Sequence, residues 1–312
     1  MMNSRLRLAV VLALLALGGG VAALGKLERQ AGFDSVLEIW GDLVRDADQA
    51  AMKAAPVSIS EEIALGLRLA NALKGQWRED PALSAYITGV AQPLKSFVRR
   101  KEMPYQFHVL DSAEINAFAL PGGEIYVFRG LLDFVESEAE LAAVLGHEIS
   151  HVDLMHCVDK YRYELSLKRS GAGDLGHVVD MSRRLAVASY SRFQEVDADA
   201  QSLRLSIESR YDPGAAPRLF ARMGAQPGIG ANPRAKTPAG EFASSTARMM
   251  SDYFRSHPRS EDRTKRLDEL IRGERSRLAG TRFYIGKKNL NAHIPFPEKA
   301  FDDEWRIGPT IP

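Results

Sequence analysis

Leu141, Leu145, Ile149 and Val152 recur at three- and four-residue spacing within a proline-free stretch, residues 138–156. That period lays them on one stripe of an α-helix. Ser137 and Glu140 form an S-x-x-E capping box, and Glu138 adds negative charge to the first turn. The pattern therefore predicts a helix opened at Ser137. Upstream, the same period predicts helices over residues 26–53, 61–74 (capped by Ser58 or Ser60) and 81–100. Between these and the central helix the period shortens to two. Residues 105–110, 115–120 and 124–128 read as short strands, the last two joined by Pro121-Gly122-Gly123, with a helix following at Leu131. Downstream, residues 182–210 read as a long helix ended by Tyr211-Asp212-Pro213, followed by a short helix over 214–223 and another opened by Ser260. Residues 168–177 and 224–240 are glycine-bearing loops. The expected fold is α+β and mainly helical, with a small antiparallel sheet just ahead of the central helix.

Composition narrows the class. The chain has 312 residues, 45% of them hydrophobic, enough for a sizeable core. Its 41 basic and 40 acidic residues nearly cancel, which gives no electrostatic ground for a nucleic-acid partner. Cys157 stands alone, so no intramolecular disulfide forms. Arg5 and Arg7 precede an uncharged run of Leu, Ala and Val over residues 8–25, the pattern of a secretion signal or an N-terminal membrane anchor. The expected division is a leader over 1–25, a helical segment over 26–58, a catalytic domain over 59–275 and an irregular tail over 276–312.

The central helix carries the chemistry. His147-Glu148-Ile149-Ser150-His151 reads H-E-x-x-H. On a helix the two histidines lie one turn apart on one face, where two imidazole nitrogens reach a single zinc ion, and Glu148 sits about 100° further round, placed to act as a general base. So short a motif needs a third ligand elsewhere. The pattern with glycine three residues and histidine six residues after the second motif histidine is absent, because Leu154 and Cys157 occupy those positions. His156 points about 180° from His147 on the same wheel, which favours a buried, hydrogen-bonded histidine near the helix end. Glu195 and Asp199 lie one turn apart on the later helix. One of them can bind zinc while the other steadies a motif histidine. Residues Asn116, Ala117 and Phe118 are either plain sheet or an edge that pairs with an extended peptide.

Taken together, the motifs resemble the zinc metallopeptidase family that includes HtpX, the periplasmic protease BepA and the CaaX prenyl proteases. The residues that carry the resemblance are Ser60 to Gly66, Asn116 to Gly123, His147 to His151, Ser191 to Asp199, and Ser256-His257-Pro258 with Arg263. The chain is most similar to the soluble periplasmic branch, since it lacks a set of membrane spans through the catalytic part. The resemblance implies one zinc per chain on His147, His151 and Glu195, with Glu148 as catalytic base and Asp199 as a supporting or proton-donating acid. It also implies that His257 approaches the metal, either plugging a resting site or stabilising the transition state, with Arg263 nearby. The expected activity is endopeptidase cleavage of misfolded or unassembled cell-envelope proteins. The expected location is a bacterial periplasm, soluble or tethered to the inner membrane through residues 8–25. The competing expectation is a zinc-bearing chaperone or adaptor that holds such proteins without cutting them. Glu148 argues against it, because a pure binder has no use for that acid.

Overall fold

The hydroxyl of Ser58 accepts from the backbone amide of Glu61, and the Glu61 carboxylate accepts from the amide of Ser58. This reciprocal cap fixes the start of α1 (Ile59–Leu73) and decides between the two serines. In the computed structural model, residues 57–159, 190–224, 257 and 263–309 are described; they lie within one compact unit of the chain, residues 56–312. The leader, the helix expected over 26–53 and both glycine-bearing loops lie outside the described residues. None of the described helices is long and apolar enough to cross a membrane.

Asp80 caps α2 (Pro81–Lys95), which stops short of the expected Arg100. Pro93 lies in its last turn, where it offers no amide and crowds the preceding carbonyl. Three short strands follow: β1 (Gln106–Leu110), β2 (Ala117–Ala119) and β3 (Glu124–Phe128). They lie in the order β1-β3-β2, with β3 antiparallel to β2 but parallel to β1. The sheet is therefore mixed, not wholly antiparallel as expected. The reason is geometric: residues 111–116 reverse the chain between β1 and β2, and the tight turn at 121–123 folds β3 back into the slot between the other two. Gly122 makes that turn at φ 82°. It lies flat on α1, where a Cβ would sit 3.0 Å from the Ile63 Cα.

After α3 (Arg129–Phe134) comes the central helix, α4 (Glu138–Asp153), buried along its whole length and capped by Ser137 as expected. The capping box does not close, because the Glu140 carboxylate accepts from the Glu136 amide and pairs with Arg222. Leu141, Leu145, Ile149 and Val152 are each 0% exposed and share a core with Ile87, Val90 and Leu94 of α2. The helix ends earlier than expected: Leu154 caps it and Met155 takes a left-handed backbone at φ 66°. A fresh helical turn begins at His156.

Alongside runs α5 (Arg192–Glu208). Its start is the Ser191–Gln194 capping box, so residues 190 and 191 are not helical, contrary to the reading from 182. At Gly146 the two helices nearly touch: a Cβ there would lie 2.9 Å from the Ser202 Oγ, which itself donates to the Ala143 carbonyl. Asp153 accepts from the Arg99 and Arg100 amides and from Gln201, locking the far end of α4 to α5. This pairing sets the two halves of the expected site face to face.

Two further helices, α6 (Ala215–Gly224) and α7 (Arg263–Gly273), pack against this pair through Leu267 and Ile271, and short α8 (Arg275–Leu278) follows. The tail differs from expectation. It forms β4 (Arg282–Tyr284), α9 (Lys287–Ala292) and β5 (Trp305–Ile307), with β4 antiparallel to β5. The Gly286 and Ile285 carbonyls accept from the Glu138 and Ala139 amides, so the tail satisfies the first turn of α4. Its order comes from those contacts and not from any period in its sequence.

Candidate metal centre

His147 and His151, one turn apart on α4, turn their Nε2 atoms toward each other at 3.0 Å. Glu195 on α5 reaches in from the facing helix, with Oε2 at 3.4 Å from His147 Nε2 and Oε1 at 3.4 Å from His151 Nε2. His257 completes the group: its Nδ1 lies 3.0 Å from Glu195 Oε1 and 3.2 Å from His147 Nε2. All four side chains are buried, and their ligating atoms lie within 4.8 Å of one another. The sequence left Glu195 and Asp199 as alternatives; the geometry brings Glu195 to the middle and Asp199 behind His147.

The donor set fits a zinc ion. Tetrahedral zinc with ligands at about 2.0–2.2 Å needs donor atoms about 3.3–3.6 Å apart. The separations here, from 3.0 to 3.4 Å, are within a few tenths of that. Glu195 Oε2 and both Glu148 carboxylate oxygens are buried and make no hydrogen bond among the described residues. Buried carboxylate oxygens that lack a hydrogen bond are costly; beyond the nearby His147, His257 and Arg263 nitrogens, a dication among the donors would offset that cost. His257 Nε2 stands 3.3 Å from Glu148 Oε1, so the free carboxylate borders the donor set without joining it.

Behind the donors sits a supporting layer. The Asp199 Oδ1 lies 3.1 Å from His147 Nδ1. Arg263 grips that same carboxylate twice, Nε to Oδ2 at 2.7 Å and Nη2 to Oδ1 at 2.6 Å, and its guanidinium lies 4.0 Å over the Phe220 ring. Arg263, the first residue of α7, is 4% exposed and turned inward to the site. His156 was expected to point away from the chemistry. It is buried and hydrogen-bonded as anticipated, yet its partner is His151, Nδ1 to Nδ1 at 3.0 Å, because the left-handed Met155 swings it back. Tyr190, which the sequence reading missed, stacks on His151 at 3.6 Å and 13°. No periodicity marks Tyr190; its closeness in sequence to the Ser191 cap is the available signal.

Charge follows the same geometry. Burial and the Arg263 charge push the His147 imidazole down, but the Asp199 and Glu195 carboxylates outweigh them and bring it up to about 9. Burial holds His151 well below the usual imidazole range despite Glu195. Glu195 is raised by burial but lowered more by His257, His147 and His151, ending well below an ordinary carboxylate. Asp199 is likewise lowered, Arg263 and His147 outweighing its burial. Among the side chains themselves, positive charge thus gathers on the His147 side, between two carboxylates.

The expected substrate strand is less open. Ala117 and Phe118 are 0% and 4% exposed, and the Phe118 ring stacks with Tyr126 at 5.0 Å, inside the sheet's own core. Among the described residues β2 pairs on one side alone, with β3. Asn116 is 9% exposed, and its Oδ1 makes no hydrogen bond among the described residues.

A helix bearing H-E-x-x-H, faced by a glutamate from a second helix over a small sheet, defines a zinc-peptidase type of centre. Residues 78–271 match peptidase family M48, and the chain belongs to that family. Among curated proteins it is similar to the beta-barrel assembly-enhancing protease of Yersinia pestis, 26% identical over 239 residues, covering 70% of this chain and 49% of the relative. It is also similar to the mitochondrial metalloendopeptidase OMA1 of Schizosaccharomyces pombe, 28% identical over 195 residues, covering 60% and 52%. OMA1 of Arabidopsis thaliana is 31% identical over 166 residues, covering 51% and 30%. The chain spans about half the length, or less, of these relatives.

Proposed function

We propose that this protein is a zinc-dependent metalloendopeptidase, with His147, His151 and Glu195 as the zinc ligands. The single observation that carries the reading is the convergence of these three donors beside the buried Glu148 carboxylate, whose oxygens make no hydrogen bond among the described residues. When bound, zinc supplies Lewis acidity to an attacking water and to the scissile carbonyl. Glu148 takes the proton of that water on its carboxylate and hands it to the leaving amine. Asp199 Oδ1 and Arg263 Nη2 each lie 3.1 Å from His147 Nδ1 and fix that ring with Nε2 turned inward, while Arg263 also holds Asp199 in place. His257 would fill a fourth donor position at rest and so keep the site closed. Arg263 is the positive side chain nearest the donor set and can bear part of the developing oxyanion charge. An extended peptide lies along Asn116, Ala117 and Phe118 through backbone pairing, since the Phe118 side chain is committed to the sheet.

The substrates are polypeptides, with misfolded or unassembled cell-envelope proteins as the particular class. Support for that class is the export pattern of residues 1–25 and similarity to a protein named a beta-barrel assembly-enhancing protease. The same pattern supports a bacterial periplasmic location, soluble or tethered through residues 8–25. The test is cleavage of casein and of an unfolded outer-membrane protein, with and without a chelator, on protein of known zinc content. Zinc-loaded protein that leaves both substrates intact would overturn the proposal.

One observation favours a second reading, a zinc-bearing chaperone. Four protein donors make a closed set, the form that structural zinc sites take. That reading leaves Glu148 without a purpose, and chelator-insensitive binding of the same unfolded substrates without cleavage is the result that would select it.

A further inference from the structure

We infer that His156 is the positioning residue that fixes His151 as a metal ligand, with Tyr190 closing the remaining freedom of the ring; the inference rests on the metallopeptidase reading above. An imidazole presents a lone pair on one nitrogen and a hydrogen on the other. For His151 to point a lone pair from Nε2 at the other donors, its hydrogen must sit on Nδ1. His151 is 0% exposed, so that hydrogen needs an acceptor inside the protein. His156 Nδ1 lies 3.0 Å away and accepts it, which places the hydrogen of His156 on its own Nε2. His147 Nδ1 meets Asp199 Oδ1 and Arg263 Nη2, each at 3.1 Å. The two ligands on one helix are thus held by chemically different groups, a carboxylate and guanidinium behind the first and an imidazole behind the second.

Backbone and packing are both arranged for this. A continued helix would carry His156 about 180° round from His147. The left-handed Met155 breaks α4 and returns the His156 ring to the face it would have left. The hydrogen bond restrains His151 within its ring plane. Tyr190 covers the face of that ring, 3.6 Å between centroids and 13° from parallel, so a flip about the Cβ–Cγ bond is blocked. Tyr190 is itself anchored, its hydroxyl 3.3 Å from Cys157 Sγ on the same turn as His156. One short turn, residues 156–158, therefore supplies the hydrogen-bond partner directly and the stacking ring by proxy. Outer partners of this kind change metal affinity by about 10–100-fold.

The experiment is a zinc titration of the full-length protein against a chromogenic chelator, comparing wild type with His156→Ala, His156→Asn, Tyr190→Leu and, as a reference for the ligand set, Glu195→Ala. Asparagine offers an oxygen close to where Nδ1 stands. His156→Ala is expected to weaken zinc binding about 10–100-fold, Tyr190→Leu by less, and His156→Asn to recover most of the loss. A His156→Ala affinity within about twofold of wild type would overturn the inference while leaving the metal site intact, provided Glu195→Ala loses zinc. Zinc binding unchanged in Glu195→Ala would instead remove the metallopeptidase reading beneath it. If His156→Ala does not fold, nitrogen-15 spectra of the zinc-loaded wild type decide. A hydrogen on His156 Nε2, with His156 Nδ1 accepting from His151, supports the assignment, and a hydrogen on His156 Nδ1 defeats it.

Discussion

His257 Nδ1 lies 3.0 Å from Glu195 Oε1, inside the donor set and not beside it. A catalytic zinc needs an open position for water and substrate, and with zinc bound among these donors His257 would take that position. The expected outcome for His257→Ala is therefore a gain: cleavage of an unfolded substrate rises several-fold while zinc affinity falls about tenfold or less, since three ligands remain. Steady-state kinetics on zinc-saturated protein check this. A fall in kcat with unchanged zinc content would instead make His257 a stabiliser of the transition state.

Glu195 and Asp199 look alike in the sequence, one turn apart on one helix face. The geometry separates them, and metal analysis separates them in solution. Glu195→Ala should lose zinc on dialysis. Asp199→Ala should keep a zinc site weakened by about 10–100-fold, because the residue acts through His147. Removing Asp199 strands the buried Arg263 charge, so the double variant Asp199→Ala/Arg263→Met is the proper companion. Equal zinc loss from Glu195→Ala and the double variant would refute this division of roles.

Glu148 is the residue whose change should be silent to metal and fatal to turnover. Glu148→Gln keeps size and polarity but cannot take a proton at the attacking water. Loss of a general base costs about 10²–10⁴-fold in rate, so kcat should drop by that factor at unchanged zinc stoichiometry. Cleavage within tenfold of wild type would strip Glu148 of the assigned role.

What could be read from the chain beforehand follows the physics of each signal. The stripe Leu141, Leu145, Ile149 and Val152 and the cap at Ser137 are local, and both came out as read, as did the placing of two histidines on one face. The third donor was legible as a pair of acids, not as a choice between them, because the choice depends on how α4 and α5 approach at Gly146 and Ser202. The direction of β1 was not legible: strand period says nothing about which neighbour a strand takes. His156 was misplaced because a helical wheel assumes the helix continues, and a left-handed methionine carries no sequence mark of the kind glycine gives. The tail was read as irregular because it is ordered by what it touches, above all the first turn of α4.

That first turn holds the remaining prediction. Glu138 is 0% exposed and accepts from the Tyr211 hydroxyl at 2.9 Å, the Tyr86 hydroxyl at 3.3 Å and the Phe296 amide at 2.8 Å. None of these three partners brings a positive charge. The helix dipole favours an ionised acid here by about 0.3–1 kcal/mol, and the hydrogen bonds pull the same way. Burial wins and raises the Glu138 carboxyl to about 7 from an ordinary 4.5. The folded protein therefore binds more protons than the unfolded chain between those two values. Unfolding free energy then falls as pH rises through that window, since its slope follows protons bound in the unfolded state minus those in the folded state. The full stabilisation is present below about pH 4.5 and is gone above about pH 7, a swing on the order of 3 kcal/mol. Glu138→Gln removes the titrating group while keeping an oxygen for Tyr211 and Phe296. Urea unfolding of both proteins at pH 5 and pH 8 isolates the term, because distant groups cancel in the difference. The variant should gain on wild type by about 2–3 kcal/mol from the lower to the higher pH, and a difference that stays constant with pH would show that Glu138 is ionised throughout.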